Sequence, residues 1–175
     1  MKTLFLLRHA KSSWSDPGLA DFDRPLNERG RRAAPLIARH LAGGGPLPDL
    51  ILCSAARRTR ETLALMLPGL ARDAVVRIES GLYGADAATL LRRLQRVETA
   101  VDCVLLIAHN PGIEDLAAGI CGGGSGPMRR RMDEKFPTAA LAAFALEAPR
   151  WSSLREGAAT LTDFVLPKDL AQVGC

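Results

Sequence analysis

Apolar residues in this chain come in short blocks separated by longer stretches of helical periodicity. Strand-like runs occupy residues 3–7, 50–53, 75–78 and 103–108, with two later ones at 140–147 and 159–166. Between them the spacing predicts helices. Asn27 is placed to cap one reaching about residue 41, closed by Gly43, Gly44, Gly45 and Pro46, with Pro35 an awkward interior position expected to kink it. A second opens at Ser54 or Ala55 and runs to about residue 67, before Pro68 and Gly69. Asp86 caps a third, with Leu90, Leu91 and Leu94 on one face, and a fourth runs from Gly112 or Ile113 to Ile120. The glycine tract 122–124, followed by Ser125, Gly126 and Pro127, reads as a mobile surface loop.

Alternating strands and helices predict an α/β fold, a three-layer α/β/α sandwich around a mostly parallel sheet. The first, second and fourth runs are almost continuously apolar, as expected of strands covered on both faces. No internal repeat or dividing linker interrupts the pattern, so residues 1–175 are expected to form one domain. A chain of this length buries roughly 70% of its unfolded surface, enough for a core without staples.

Composition removes several classes of function. The longest apolar runs, such as 104–108, cannot span a bilayer, and Arg8 and His9 cut short the apolar start before any signal-peptide pattern develops. Cys53, Cys103, Cys121 and Cys175 show no paired metal spacing and read as reduced thiols of a cytoplasmic protein. The net charge is +4, yet aromatics make up only 5% and no basic stripe is interleaved with them, which argues against nucleic acid. A basic balance suits an anionic small ligand or a phosphorylated protein equally well. The run Met128-Arg129-Arg130-Arg131 reads as a solvated face, the other reading being a docking surface for an acidic or phosphorylated protein. His9, His40 and His109 are the only histidines and lack zinc-enzyme spacing, so no metal or cofactor is expected.

Three strand ends carry the candidate chemistry. The first ends in Arg8-His9-Ala10-Lys11, the second leads through Ser54 into Arg57, Arg58 and Arg60, and the fourth ends in His109-Asn110-Pro111. Singly, a histidine at a strand end is usually structural, and arginines opening a helix are usually solvated. In an open α/β sheet, however, ligands bind beyond the carboxyl ends of parallel strands, which would bring these residues together. Arginine forks match phosphate oxygens and stay charged at any working pH, while a helix N-terminus adds amide donors. Arg8 beside His9 disfavours the imidazolium, and a neutral imidazole nitrogen can accept a phosphoryl group.

These residues resemble the histidine phosphatase superfamily, of phosphoglycerate mutase-like fold, and within it the SixA-type phosphohistidine phosphatases. The likeness rests on Leu-Arg-His-Ala-Lys-Ser at 7–12, Asp-Arg-Pro-Leu-Asn-Glu-Arg-Gly at 23–30, Ser54, Arg58 and Thr62 at spacings of four, Ala-His-Asn-Pro at 108–111, and Lys-Phe-Pro-Thr-Ala-Ala at 135–140. The resemblance implies His9 as phosphoryl acceptor, with Arg8, Arg58 and His109 forming the phosphate pocket and Arg24 completing it as a substrate-binding residue. Arg57 is then peripheral, and Lys11 frames the pocket mouth or is uninvolved. The general acid is unassigned: Glu79 is the positional candidate, Asp16, Asp21 and Asp23 are others, and none is a further option. About fifty residues separate the second and fourth strands, too few for a large capping domain. The expected activity is therefore metal-independent phosphatase action on protein phosphohistidine. The alternatives are a small-metabolite phosphatase or, further off, a non-catalytic phosphate-binding module.

Overall fold

A computed structural model describes residues 1–70 and 73–171. Seven strands form one sheet: β1 (Lys2–Arg8), β2 (Leu50–Ser54), β3 (Val75–Glu79), β4 (Cys103–Ala108), β5 (Cys121–Gly124), β6 (Leu141–Leu146) and β7 (Ala159–Val165). Their order is β3-β2-β4-β1-β6-β7-β5, with β6 antiparallel to both neighbours and the remaining pairs parallel. The helices are α1 (Glu28–Gly43), α2 (Arg57–Met66), α3 (Ala87–Gln95), α4 (Gly112–Ile120), α5 (Gly126–Glu134) and α6 (Pro167–Ala171).

The two-residue period of the central strands divides the core into two layers. Leu4 and Leu6 of β1 join Val104 and Leu106 of β4 on the face covered by α3, α4 and α5. Phe5 and Leu7 join Leu105 and Ile107 on the face covered by α1, α2 and α6. Burying each such side chain contributes roughly 1.5–3 kcal/mol, so both faces must be apolar and both must be covered. β2 and β4 are buried along their whole length, as their continuous apolar runs require. β3 is an edge strand and leaves Val75, Val76 and Ile78 exposed.

Asn27 caps α1 as expected, its side chain accepting from the Gly30 amide, and the helix continues through Pro35 at the cost of one backbone bond. The glycine tract is not a surface loop. It forms β5 beside β7, and position 122 there must be glycine, because a side chain would meet the Gly157 carbonyl oxygen at 1.9 Å. The arginine run then lies on α5, with Arg129 and Arg130 exposed and Arg131 held by Asp169 at 2.5 Å. Cys53, Cys103 and Cys121 are buried, whereas Cys175 lies outside the described residues. No helix among the described residues is long and apolar enough to cross a membrane.

Candidate active site

β2, β4 and β1 are consecutive parallel neighbours at the centre of the sheet, so Ser54, His109 and His9 leave it at one edge. The register Arg8↔Ala108 sets the two histidines at equal height on adjacent strands, and their ring centroids are 5.2 Å apart. Thr62 of α2 fixes the loop after His9: its hydroxyl accepts from the Ala10 amide at 3.0 Å and donates to the Arg58 carbonyl at 2.7 Å.

Arg58 joins the two rings. Its Nε donates to His9 Nε2 at 3.3 Å, and its Nη2 lies 3.3 Å from His109 Nδ1. A guanidinium has only donors, so both of those ring nitrogens present lone pairs. The remaining proton of His9 sits on Nδ1, which donates to the Ala10 carbonyl at 2.7 Å. That of His109 sits on Nε2, 2.7 Å from the Ser54 hydroxyl. Both tautomers are thereby fixed by neighbours.

Burial is the main reason both imidazoles stay neutral, since it disfavours a charged ring. His9 is pushed down from 6.5 to about 3 by burial, then by His109, Arg58 and Arg8, against the opposing Ala10 hydrogen bond. His109 is lowered to about 4 by burial, with Arg58 and Arg8 adding to it and Asp21 opposing.

Arg8 projects from the end of β1 and donates through Nη1 to the Phe136 carbonyl at 3.0 Å, while its Nε is buried without a hydrogen-bond partner. Asn110 and Glu114 hold that same Phe136 backbone from the α4 side. The segment returns to β1 at Ala139, whose amide donates to the carbonyls of Arg8 and His9. Ala139 adopts φ of +59°, a left-handed conformation costly for a side chain and maintained here beside Arg8 and His9.

Arg24 is buried and fully engaged, donating to the Ser13 carbonyl, the Ser12 hydroxyl and Asp21 Oδ1, with its guanidinium stacked on Trp14. It meets the pocket through Asp21, whose other oxygen lies 3.0 Å from Arg58 Nη2. Tyr83 donates to that same oxygen at 2.7 Å and sets its ring edge-on to His109. No motif in the sequence marks Tyr83; its one signal is that it is the sole tyrosine, shortly after a strand end.

The acid candidates divide clearly. The Tyr83 hydroxyl, then Arg58 and Arg24, hold the Asp21 carboxyl down at about 2, so it carries no proton at neutral pH. Glu79 is gripped through both oxygens by Arg93. Asp16 is exposed and accepts from the Gly18 amide, and Asp23 is exposed. Arg57 is exposed and paired with Glu61, and Lys11 is exposed and lines a neighbouring cavity. His40 pairs with Asp163 of β7 at 2.6 Å, away from these residues. Among the described residues no three His, Cys, Asp or Glu side chains are grouped to hold a metal ion.

Comparison with known proteins bears on the family and the fold. The profile of the histidine phosphatase superfamily (branch 1) matches residues 4–86. An uncharacterized protein of Mycobacterium tuberculosis is 38% identical over 164 residues, covering 93% of this chain and all of the relative. The structure of a candidate phosphohistidine phosphatase SixA from Agrobacterium tumefaciens is 32% identical, with a TM-score of 0.80 over 95% of this chain and 98% of that one. The protein histidine phosphatase SixA complexed with tungstate superposes with a TM-score of 0.77 at 25% identity, covering 96% of this chain and 99% of that one. With its phosphoglycerate mutase-like sheet and its paired histidines, this chain belongs to the histidine phosphatase superfamily.

Proposed function

We propose that this protein is a metal-independent phosphatase that removes phosphoryl groups from protein phosphohistidine through a covalent intermediate on His9. The observation that carries the reading is Arg58 lying between two neutral imidazoles, with the His9 Nε2 lone pair turned toward the guanidinium. A phosphoryl group seated on Arg58 would meet that nitrogen. Arg8, with an unpartnered buried Nε, would supply a further donor, His109 would hold the Arg58 guanidinium through its Nδ1 lone pair, and Arg24 would act on the same anion by way of Asp21.

In the first step His9 Nε2 forms a bond to phosphorus as the bond to the substrate's imidazole nitrogen breaks. The substrate ring, protonated on its other nitrogen, departs as neutral imidazole and needs no acid from the enzyme. This agrees with a site whose nearest carboxyl is held ionised and whose Glu79 is clamped elsewhere. Water then attacks phosphorus, releasing phosphate and a proton and restoring neutral His9. An alkyl phosphate would leave as an alkoxide and would require the missing acid. The site lies on one sheet carrying every strand from β1 to β7 among the described residues, which supports reading the chain as one domain.

Rapid quench with a radiolabelled phosphohistidine protein tests the reading. Acid-labile, base-stable phosphate is expected on His9 in the wild type and nowhere in His9→Ala, with turnover unaffected by a strong chelator. Faster turnover of sugar or nucleotide phosphates than of the phosphohistidine protein would transfer the activity to small metabolites.

A further inference from the structure

Beside the phosphate pocket lies a cavity of about 630 Å³ that the chemistry above does not use. Six cations line it: Lys11, Arg29, Arg32, Arg131, Lys135 and Lys168. They come from the loop after His9, from α1, from α5 and the segment following it, and from α6. Glu134 is the one carboxylate in the lining among the described residues. Arg131 is held by Asp169 and Arg32 is loosely paired with Glu28, but Lys11, Arg29, Lys135 and Lys168 enter no ion pair among the described residues. Ala33, Leu36, Pro137 and Leu166 give the same cavity an apolar wall.

Like charges gathered from four separate elements repel one another, which costs stability unless an anion is to be received. Two residues of the lining, Lys11 and Thr138, adjoin the segments that hold the phosphate pocket. Lys11 follows His9 by two residues, so its backbone lies within about 7 Å of the histidine's. Thr138, also in the lining, precedes Ala139, whose amide holds the carbonyls of Arg8 and His9.

We infer that this cavity docks an acidic segment of the phosphorylated partner protein, with an apolar side chain seated against Leu36 and Leu166, while the partner's phosphohistidine enters the His9 pocket. The inference rests on the phosphohistidine reading and names how such a partner would be chosen. Charge complementarity selects the occupant: a free phosphate has no use for the apolar wall, and a neutral peptide has none for the cations.

The test uses the full chain and two histidine peptides, prepared both free and phosphorylated by phosphoramidate: one with a flanking Glu-Leu-Glu-Glu run, one with alanines there. The unphosphorylated acidic peptide, fluorescently labelled, is expected to bind the wild type at least tenfold more tightly than the neutral one. That preference should vanish in 0.5 M salt and in Arg29→Glu/Arg32→Glu/Lys168→Glu. The same variant should raise KM for the phosphorylated acidic peptide at least tenfold and leave kcat within twofold. Should the reversal variant fail to fold, the triple alanine variant is expected to show a smaller loss in the same direction. Equal binding of both peptides by the wild type, or binding unchanged in the folded variant, overturns the docking surface. Tighter binding of ATP than of the acidic peptide, with displacement of the peptide, overturns it in favour of a small polyanion. Peptide binding without turnover of either phosphopeptide overturns the phosphohistidine reading instead.

Discussion

The Asp21 carboxylate lies 3.0 Å from Arg58 Nη2, on the guanidinium that also faces His9 and His109. A negative oxygen therefore already occupies part of the donor set that a phosphoryl group would use. Asp21→Asn should free that donor, and the inhibition constant for phosphate or tungstate is expected to fall several-fold. Weaker inhibition in the variant would show instead that Asp21 serves mainly to hold Arg58 in place.

Ser54 offers the hydroxyl that meets His109 Nε2, and both residues are buried. In Ser54→Ala that ring nitrogen keeps its proton and loses its acceptor, a cost of about 1–3 kcal/mol. Urea denaturation should report that loss. A kcat lowered roughly tenfold with KM little changed would mark the same bond as orienting His109 during the reaction.

Two neutral buried histidines make stability depend on pH in a definite direction. In the unfolded chain each takes up a proton near pH 6.5, whereas in the folded protein His9 resists to about 3 and His109 to about 4. Their contribution is complete above pH 6.5 and declines as pH falls toward the folded values. Between pH 7 and 5 the loss should be on the order of 2 kcal/mol for each ring, read from urea midpoints. Asp21 titrates below this window, since its contribution disappears only between its ordinary value near 3.8 and about 2. A His9→Gln/His109→Gln variant should lose most of the pH 7 to 5 difference.

Gly30, in the first turn of α1, lies against the loop after His9, where a side chain would meet the Lys11 carbonyl oxygen at 2.2 Å. That obstacle is backbone and cannot rotate aside. Gly30→Ala should lower both thermal stability and kcat, because the displaced segment begins two residues from His9. Normal kcat in a destabilised variant would show that the loop yields without disturbing the histidine.

Much of this was legible in the sequence because it is local. Apolar runs that end in Arg8-His9, Ser54 and His109 mark strands whose last residues face a ligand, and parallel neighbours must end at one edge. The glycine tract was misread because three glycines carry no alternation of side chains; what makes them a strand is close approach to Gly157 and Leu161, far along the chain. Asp21 is one of three similar carboxylates in one loop, and its contacts with Arg58, 37 residues away, and with Tyr83, 62 residues away, distinguish it from Asp16 and Asp23. The basic cavity was illegible for the same reason, its cations being scattered from Lys11 to Lys168.

The register Arg8↔Ala108 carries a consequence beyond geometry. Side chains alternate between the faces of a sheet, so a slip of one residue between β1 and β4 would send one imidazole to the opposite side and exchange the two core layers. Such a conformer would be badly packed and chemically silent at once. Any folding error severe enough to separate the histidines therefore also exposes apolar surface, which makes the inactive species the one most readily cleared.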